Sequence, residues 1–317
     1  MMKQFFLTLL LAVLFLPGNS QTSFELSHPE GVLYYELYGE GSDTLLLING
    51  GPGMNSRGFQ GLAKLLAQGR VVVLYDQRGT GRSTLHEVNE ATVNLEKMAA
   101  DMELLREHLG IKKWKVMGHS FGGMLGAYYT SRYPERVCSM VQSSSGGLDM
   151  ELFDGLSIRS RLTPLQRDSL AYWEGKMANG DTSYQVRYER GKHLAPAYLS
   201  DDRYIPQVAH RLTQANYTVN RLVYADMRKI GFDCKEQLAT YQGPVLVIQG
   251  ADDVVPVSIS KKGHSTFPNS ELIVLEDCNH YGWLEQPDAY FEAIFSFLDH
   301  CACDARMPCE LAVSGGK

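Results

Sequence analysis

Two rhythms of hydrophobic positions alternate along this chain: short unbroken apolar runs, and longer stretches with an apolar residue every third or fourth position. The runs at 44–48, 71–75 and 114–117 have the length and continuity of strands buried on both faces of a parallel sheet. Between the second and third, Leu95, Met98, Met102, Leu105 and Leu109 make one stripe. That spacing predicts a helix over 92–109, stopped by Gly110. Residues 22–40 read as a hairpin turning near Pro29-Glu30-Gly31, and 137–141 as another strand.

From about 148 to 240 the rhythm changes to polar, aromatic-rich helical stretches with no buried strand. Apolar runs resume at 244–248 and 272–275, and a last helix is expected over 287–300. Strands alternating with helices predict an α/β fold, a mostly parallel sheet flanked by helices. The middle block then reads as an inserted, mostly helical cap over the C-terminal edge of the sheet, where open α/β sheets bind ligands. The organisation expected is a leader at 1–20, a core from 21–147 and 241–300, a cap at 148–240, and a cysteine-containing tail at 301–317.

The leader has Lys3 ahead of an apolar stretch at 5–16, then Pro17-Gly18-Asn19-Ser20 with small residues before a cut near Ser20-Gln21. This is the layout of a secretory signal peptide, and it places the protein in the periplasm or outside the cell. The run is short of the roughly 20 apolar residues that cross a bilayer, and nothing downstream is a candidate, so no membrane association is expected once the leader is cut. Thirty Lys and Arg against 36 Asp and Glu give a net charge of −6, which leaves no basic footprint for nucleic acid. Six cysteines in an exported chain permit disulfides, in any of fifteen connectivities. The spacing Cys301-x-Cys303 with Cys309 beyond suggests a stapled C-terminus. Without paired CxxC or neighbouring histidines it does not suggest zinc, and no metal is expected.

The sharpest chemical signal is Gly118-His119-Ser120-Phe121-Gly122-Gly123 between a buried strand and a helix. Glycines on both sides of a serine allow a tight, strained strand-to-helix turn that lifts the hydroxyl above the sheet, the nucleophile elbow. A serine hydroxyl needs a base, and His280, just past the last apolar strand, is the candidate. His119 is beside the serine, but on a tight elbow its side chain is expected to point elsewhere. The carboxylate that orients the imidazole should follow the preceding strand, at Gly250-Ala251-Asp252-Asp253. Asp253 is preferred there and Asp252 stays open. The order Ser, Asp, His is that of α/β-hydrolases. Backbone N–H groups of Phe121 and of Gly51, in the loop Asn49-Gly50-Gly51-Pro52-Gly53, are the candidate oxyanion donors.

These residues resemble the prolyl iminopeptidase branch of the α/β-hydrolases, which groups with tricorn-interacting aminopeptidases. The matching pieces are Gly50-Gly51-Pro52-Gly53, the segment from Asp76 to Ser83, the elbow at Ser120, Gly250 to Asp253, and His280. The resemblance spans about 30–145 and 243–300. It implies a helical cap, a nucleophilic serine, no cofactor, and release of N-terminal proline or another residue from short peptides. It also implies cap carboxylates that hold the substrate amine. Trp173-Glu174 is similar to a Trp-Glu pair of the family, and Glu189 is a second candidate. Arg78 and Arg82 read as structural supports of their turn. Asn49 stands where the family usually has His, and Phe121 where prolyl iminopeptidases often have Trp. The substrate therefore stays open between a small peptide and another small molecule. A carboxylesterase, amidase or lactonase would use the same triad, and the cap composition does not choose. Serine at 120 argues against the fold's aspartate-nucleophile enzymes, and an intact triad argues against a silent binding scaffold.

Overall fold

The computed structural model describes residues 21–155, 157–301 and 303. The expected leader, and Cys309 with most of the expected tail, lie outside the described residues. Eight strands form one sheet: β1 (Gln21–His28), β2 (Gly31–Tyr38), β3 (Thr44–Ile48), β4 (Val71–Tyr75), β5 (Trp114–His119), β6 (Val137–Ser143), β7 (Val245–Gly250) and β8 (Ser270–Leu275). Their order is β1-β2-β4-β3-β5-β6-β7-β8. The hairpin β1–β2 is antiparallel and joins β4 antiparallel, while β4, β3 and β5 to β8 run parallel.

Each parallel strand must be joined to the next by a crossover, and helices supply most of these. Before β7 they are α1 (Gln60–Leu66), α2 (Leu95–His108) and α3 (Phe121–Arg132), then α4 (Pro164–Ala178), α5 (Tyr184–Leu194), α6 (Ile205–Leu212), α7 (Tyr217–Ile230) and α8 (Lys235–Leu238). After β7 come α9 (Val257–Thr266), α10 (Gly282–Glu285) and α11 (Pro287–His300). Helices α4 to α8 form one insertion between β6 and β7, with no strand among its described residues. Its helices carry their own start signals: Thr163 and Gln166 form a capping box on α4, and Asn216 caps α7.

Continuous apolar strands bury both faces because successive side chains point to opposite sides. In β3, Leu46 and Ile48 enter the layer under α2 and α3, while Leu45 and Leu47 enter the layer under α1 and α11. The expected helix at 92–109 is α2, opened by Asn94, whose side chain accepts from Lys97 N–H at 2.9 Å. Arg78 and Arg82 are structural props. Arg78 is buried against Asp101, with a second bond to Glu30, and Arg82 reaches the Tyr34 hydroxyl at 2.8 Å.

Strand order reverses at β3, which leads to β4 on one side while β5 lies on its other side. A crevice opens at the carboxyl ends of strands that diverge this way. Ser120 follows β5 and the Gly50–Gly53 loop follows β3, so both stand at that crevice.

Candidate active site

Ser120 adopts φ 56° and ψ −123°, a conformation that costs an L-residue energy and survives only where its surroundings enforce it. The enforcement is steric. A Cβ on Gly118 would lie 2.1 Å from the Gly122 carbonyl oxygen, and one on Gly122 would lie 2.3 Å from the Ile48 carbonyl oxygen. Strand, turn and helix are thus in backbone contact. Ser120 N–H donates to Ser143 O at 3.0 Å, pinning the turn to β6. The side chain is left partly exposed at the floor of a cavity.

His280 lines the same cavity, in the loop that follows β8. Its Nδ1 is 2.8 Å from Asp253 Oδ1, and both side chains are buried. Asp253 Oδ1 also accepts from Val255 N–H at 2.9 Å, which fixes the carboxylate. Asp252 makes no such contact; its backbone carbonyl accepts from Arg161. Ser120 and His280 line the same cavity without a direct hydrogen bond, as is common before substrate binds.

The loop after β3 presses on the elbow. A Cβ on Gly50 would sit 2.8 Å from Ser120 Cβ. Gly51 has φ 72°, open to glycine at no cost, and a Cβ there would strike the Met54 sulfur. Asn49 holds the loop's shape, its amide donating to Gly50 O at 3.1 Å and Met54 O at 2.9 Å. Phe121 is the first residue of α3, so its N–H has no intrahelical acceptor.

His119 departs from the expectation that it points away. Its ring lies 4.6 Å from that of His280, packed among Phe59, Tyr281 and Trp283, and it lines the cavity. As the last residue of β5 it shares the face of Met117, among residues of the layer under α1 and α11. Its ring nitrogens make no well-formed hydrogen bond, with the Ser143 backbone nearby. Burial, with the nearby His280 and Arg211, holds its pKa well below the usual 6.5, so it stays neutral.

The cavity encloses about 130 Å³. That is close to the roughly 150 Å³ that admits a benzene-sized group. Its walls are largely apolar: Met124, Leu152, Phe153, Ile158, Val254 and Val255. The insertion contributes Tyr198, Tyr224 and Arg211, the last carried by α6. No carboxylate is among the described lining residues. Glu174 and Glu189 are not brought to the cavity. Glu174 pairs with Arg159 and Arg190, while Glu189 takes Gln185 at 3.1 Å and Lys192 at 3.6 Å. Arg211 was missed in the sequence because nothing in Ile205–Leu212 marks which polar residue the core will bury. Among the described residues no cluster of His, Cys, Asp or Glu could hold a metal ion.

Comparison with known proteins gives a consistent result. The family model described as alpha/beta hydrolase fold matches residues 43–287. A proline iminopeptidase of Lactobacillus helveticus is 24% identical over 278 residues, covering 84% of this chain and 94% of that protein. One of Clostridium botulinum is 28% identical over 289 residues, with the same coverage of both chains. The crystal structure of the Mycobacterium smegmatis proline iminopeptidase superposes with a TM-score of 0.62 at 22% identity, covering 88% of this chain and 98% of that one.

Proposed function

The chain belongs to the α/β hydrolase fold family, and from that premise we propose that it is a serine hydrolase with Ser120, His280 and Asp253 as its triad. The observation that carries the proposal is the strained Ser120 facing a cavity shared with His280, whose Nδ1 is held by Asp253 at 2.8 Å. That bond leaves Nε2 free to act as the base. Ser120 Oγ attacks the substrate carbonyl while His280 takes its proton. The tetrahedral oxyanion accepts hydrogen bonds from the N–H groups of Gly51 and Phe121. Collapse breaks the scissile bond, and the leaving group departs with the proton from His280. Water, deprotonated by His280, then releases the acyl group and restores Ser120.

For the substrate, the named relatives support an aminopeptidase that removes proline or another N-terminal residue from short peptides. The small cavity suits one residue or one ring. One observation favours a second reading, an esterase or amidase for a small apolar acyl group: no lining carboxylate is available to hold an ammonium. Export is part of the proposal, supported by the leader pattern at 1–20 and by the disulfide Cys138–Cys303, a bond that persists in oxidising compartments.

The test compares mature protein and Ser120→Ala on prolyl and alanyl reporters, N-acetyl-prolyl reporters and 4-nitrophenyl acetate. Cleavage confined to free-amine substrates supports the aminopeptidase; cleavage confined to the acetate and blocked substrates supports the second reading. Turnover unaffected by Ser120→Ala, or none on any substrate, removes the triad proposal.

A further inference from the structure

Arg211 is buried to 6% exposure, lines the cavity beside the proposed nucleophile, and has no carboxylate partner among the described residues. Its Nη2 donates to Gly50 O at 2.8 Å and its guanidinium lies 4.5 Å over the Phe59 ring. Its polar side-chain neighbours are the Tyr281 phenol and the His119 imidazole, neither of them a carboxylate, and Nη1 makes no hydrogen bond. Burying a guanidinium without a counter-charge is costly, and a protein retains such a group where something compensates it. Tethering Gly50 does not explain the charge, because a neutral amide would donate the same bond. The other buried arginines among the described residues have what Arg211 lacks: Arg78 has Asp101 and Glu30, Arg70 has Asp43 and Asp299, and Arg106 has Glu103.

We infer that Arg211 is the receptor for a carboxylate on the substrate, so that the site selects small, largely apolar esters, amides or peptides that bear one acid group. The guanidinium holds the loop that presses on Ser120, which puts the bound acid within a short reach of the scissile carbonyl. The remaining polar groups agree in kind: Tyr198 and Tyr224 bring phenols, and no lining residue brings a negative charge that would repel an acid. A planar guanidinium suits this task because it presents paired N–H donors that match a carboxylate. The inference rests on the hydrolase reading only for where the bond is cut. The acid can lie on either side of that bond, in the acyl group or at the C-terminus of a dipeptide.

Two matched pairs separate these sources: a prolyl dipeptide against its C-terminal amide, and 4-nitrophenyl hemisuccinate against its methyl ester. Charged hydrogen bonds of this kind contribute enough for about a tenfold or greater preference in kcat/KM for the acid in at least one pair. Arg211→Gln, which keeps a donor for Gly50, should bring that ratio near one, while Arg211→Lys should keep part of it. The ratio is read within each variant, so a general loss of activity does not mimic the effect. Preference for the neutral partner in both pairs, or a ratio unchanged in Arg211→Gln, overturns the inference. Calorimetry on Ser120→Ala protein reads binding without chemistry. Phenylacetate should bind about tenfold or more tightly than phenylacetamide, and adding Arg211→Gln should abolish the difference. Arg211-dependent binding, together with no hydrolysis of any substrate by the protein that retains Ser120, would sink the triad proposal and leave the receptor standing. Equal binding of acid and amide would sink the receptor and leave the triad untouched.

Discussion

Asp253 bonds His280 through its carboxylate, while Asp252 meets Arg161 through its backbone, so the two adjacent acids should answer differently to neutralisation. Asp253→Asn should lower kcat about 10³- to 10⁴-fold by favouring the wrong imidazole tautomer, and Asp252→Asn should change it by no more than a few-fold. Single-turnover kinetics on both variants checks this. His119 makes a second prediction at this scale. Its pKa is depressed in the folded protein, so below the unfolded value of 6.5 the unfolded chain binds the extra proton. Stability from this site is present above pH 6.5 and is lost as pH falls toward the folded pKa. His119→Phe, which keeps an aromatic ring in an aromatic setting, should flatten the fall in Tm between pH 6.5 and 5, measured by calorimetry. That Ser120 and His280 meet at one cavity was legible, because an elbow requires glycines at fixed offsets and both residues follow strand ends. His119 and Arg211 were not. Their roles come from neighbours far away in sequence, Trp283 and Tyr281 for one and Phe59 and Gly50 for the other.

Among elements, the elbow shows how tightly one turn can be specified. Gly122→Ala would drive a methyl into the Ile48 backbone, where no side chain can yield, and should cost upwards of about 2 kcal/mol in denaturant melts. Gly175, inside α4 with nothing within 4 Å of its notional Cβ, is the opposite case. Gly175→Ala should stabilise by about 0.5–1 kcal/mol through the unfolded chain. The buried strands and α11 were readable to the residue or nearly so, since continuous apolar runs and the stripe after Pro287 leave few alternatives. Helices α1 and α9 escaped. The first is two turns following a glycine-rich loop, and the second is built from Val257-Ser258-Ile259-Ser260, a sequence with strand propensity that tertiary packing overrides. The sequence of the insertion announced helices without saying which faces meet the sheet, because that depends on how α4 to α7 pack with one another.

For the whole molecule, the insertion is tied to the loops that hold the proposed site. Asn216 N–H and the Asn220 amide bond Gly53 O and Pro52 O at 2.7 and 2.8 Å, Arg211 bonds Gly50 O, and Arg161 bonds the carbonyls of Asp252 and Asp253. A covalent long-range restraint is the disulfide Cys138–Cys303, with a sequence separation of 165. Cross-links over such spans typically contribute about 2–4 kcal/mol, so Cys138→Ser should lower Tm and make it insensitive to reductant, while kcat changes little. The reason kcat should hold is one of polarity. Cys138 stands at the entry end of β6, whereas the cavity opens where β3 and β5 leave the sheet. Surface attachment through position 300, exposed beside Cys138, would therefore hold the molecule by its far pole and present every copy mouth outward. A coated electrode or bead made this way should keep nearly all of its sites accessible, where random coupling through lysines would hide a share of them.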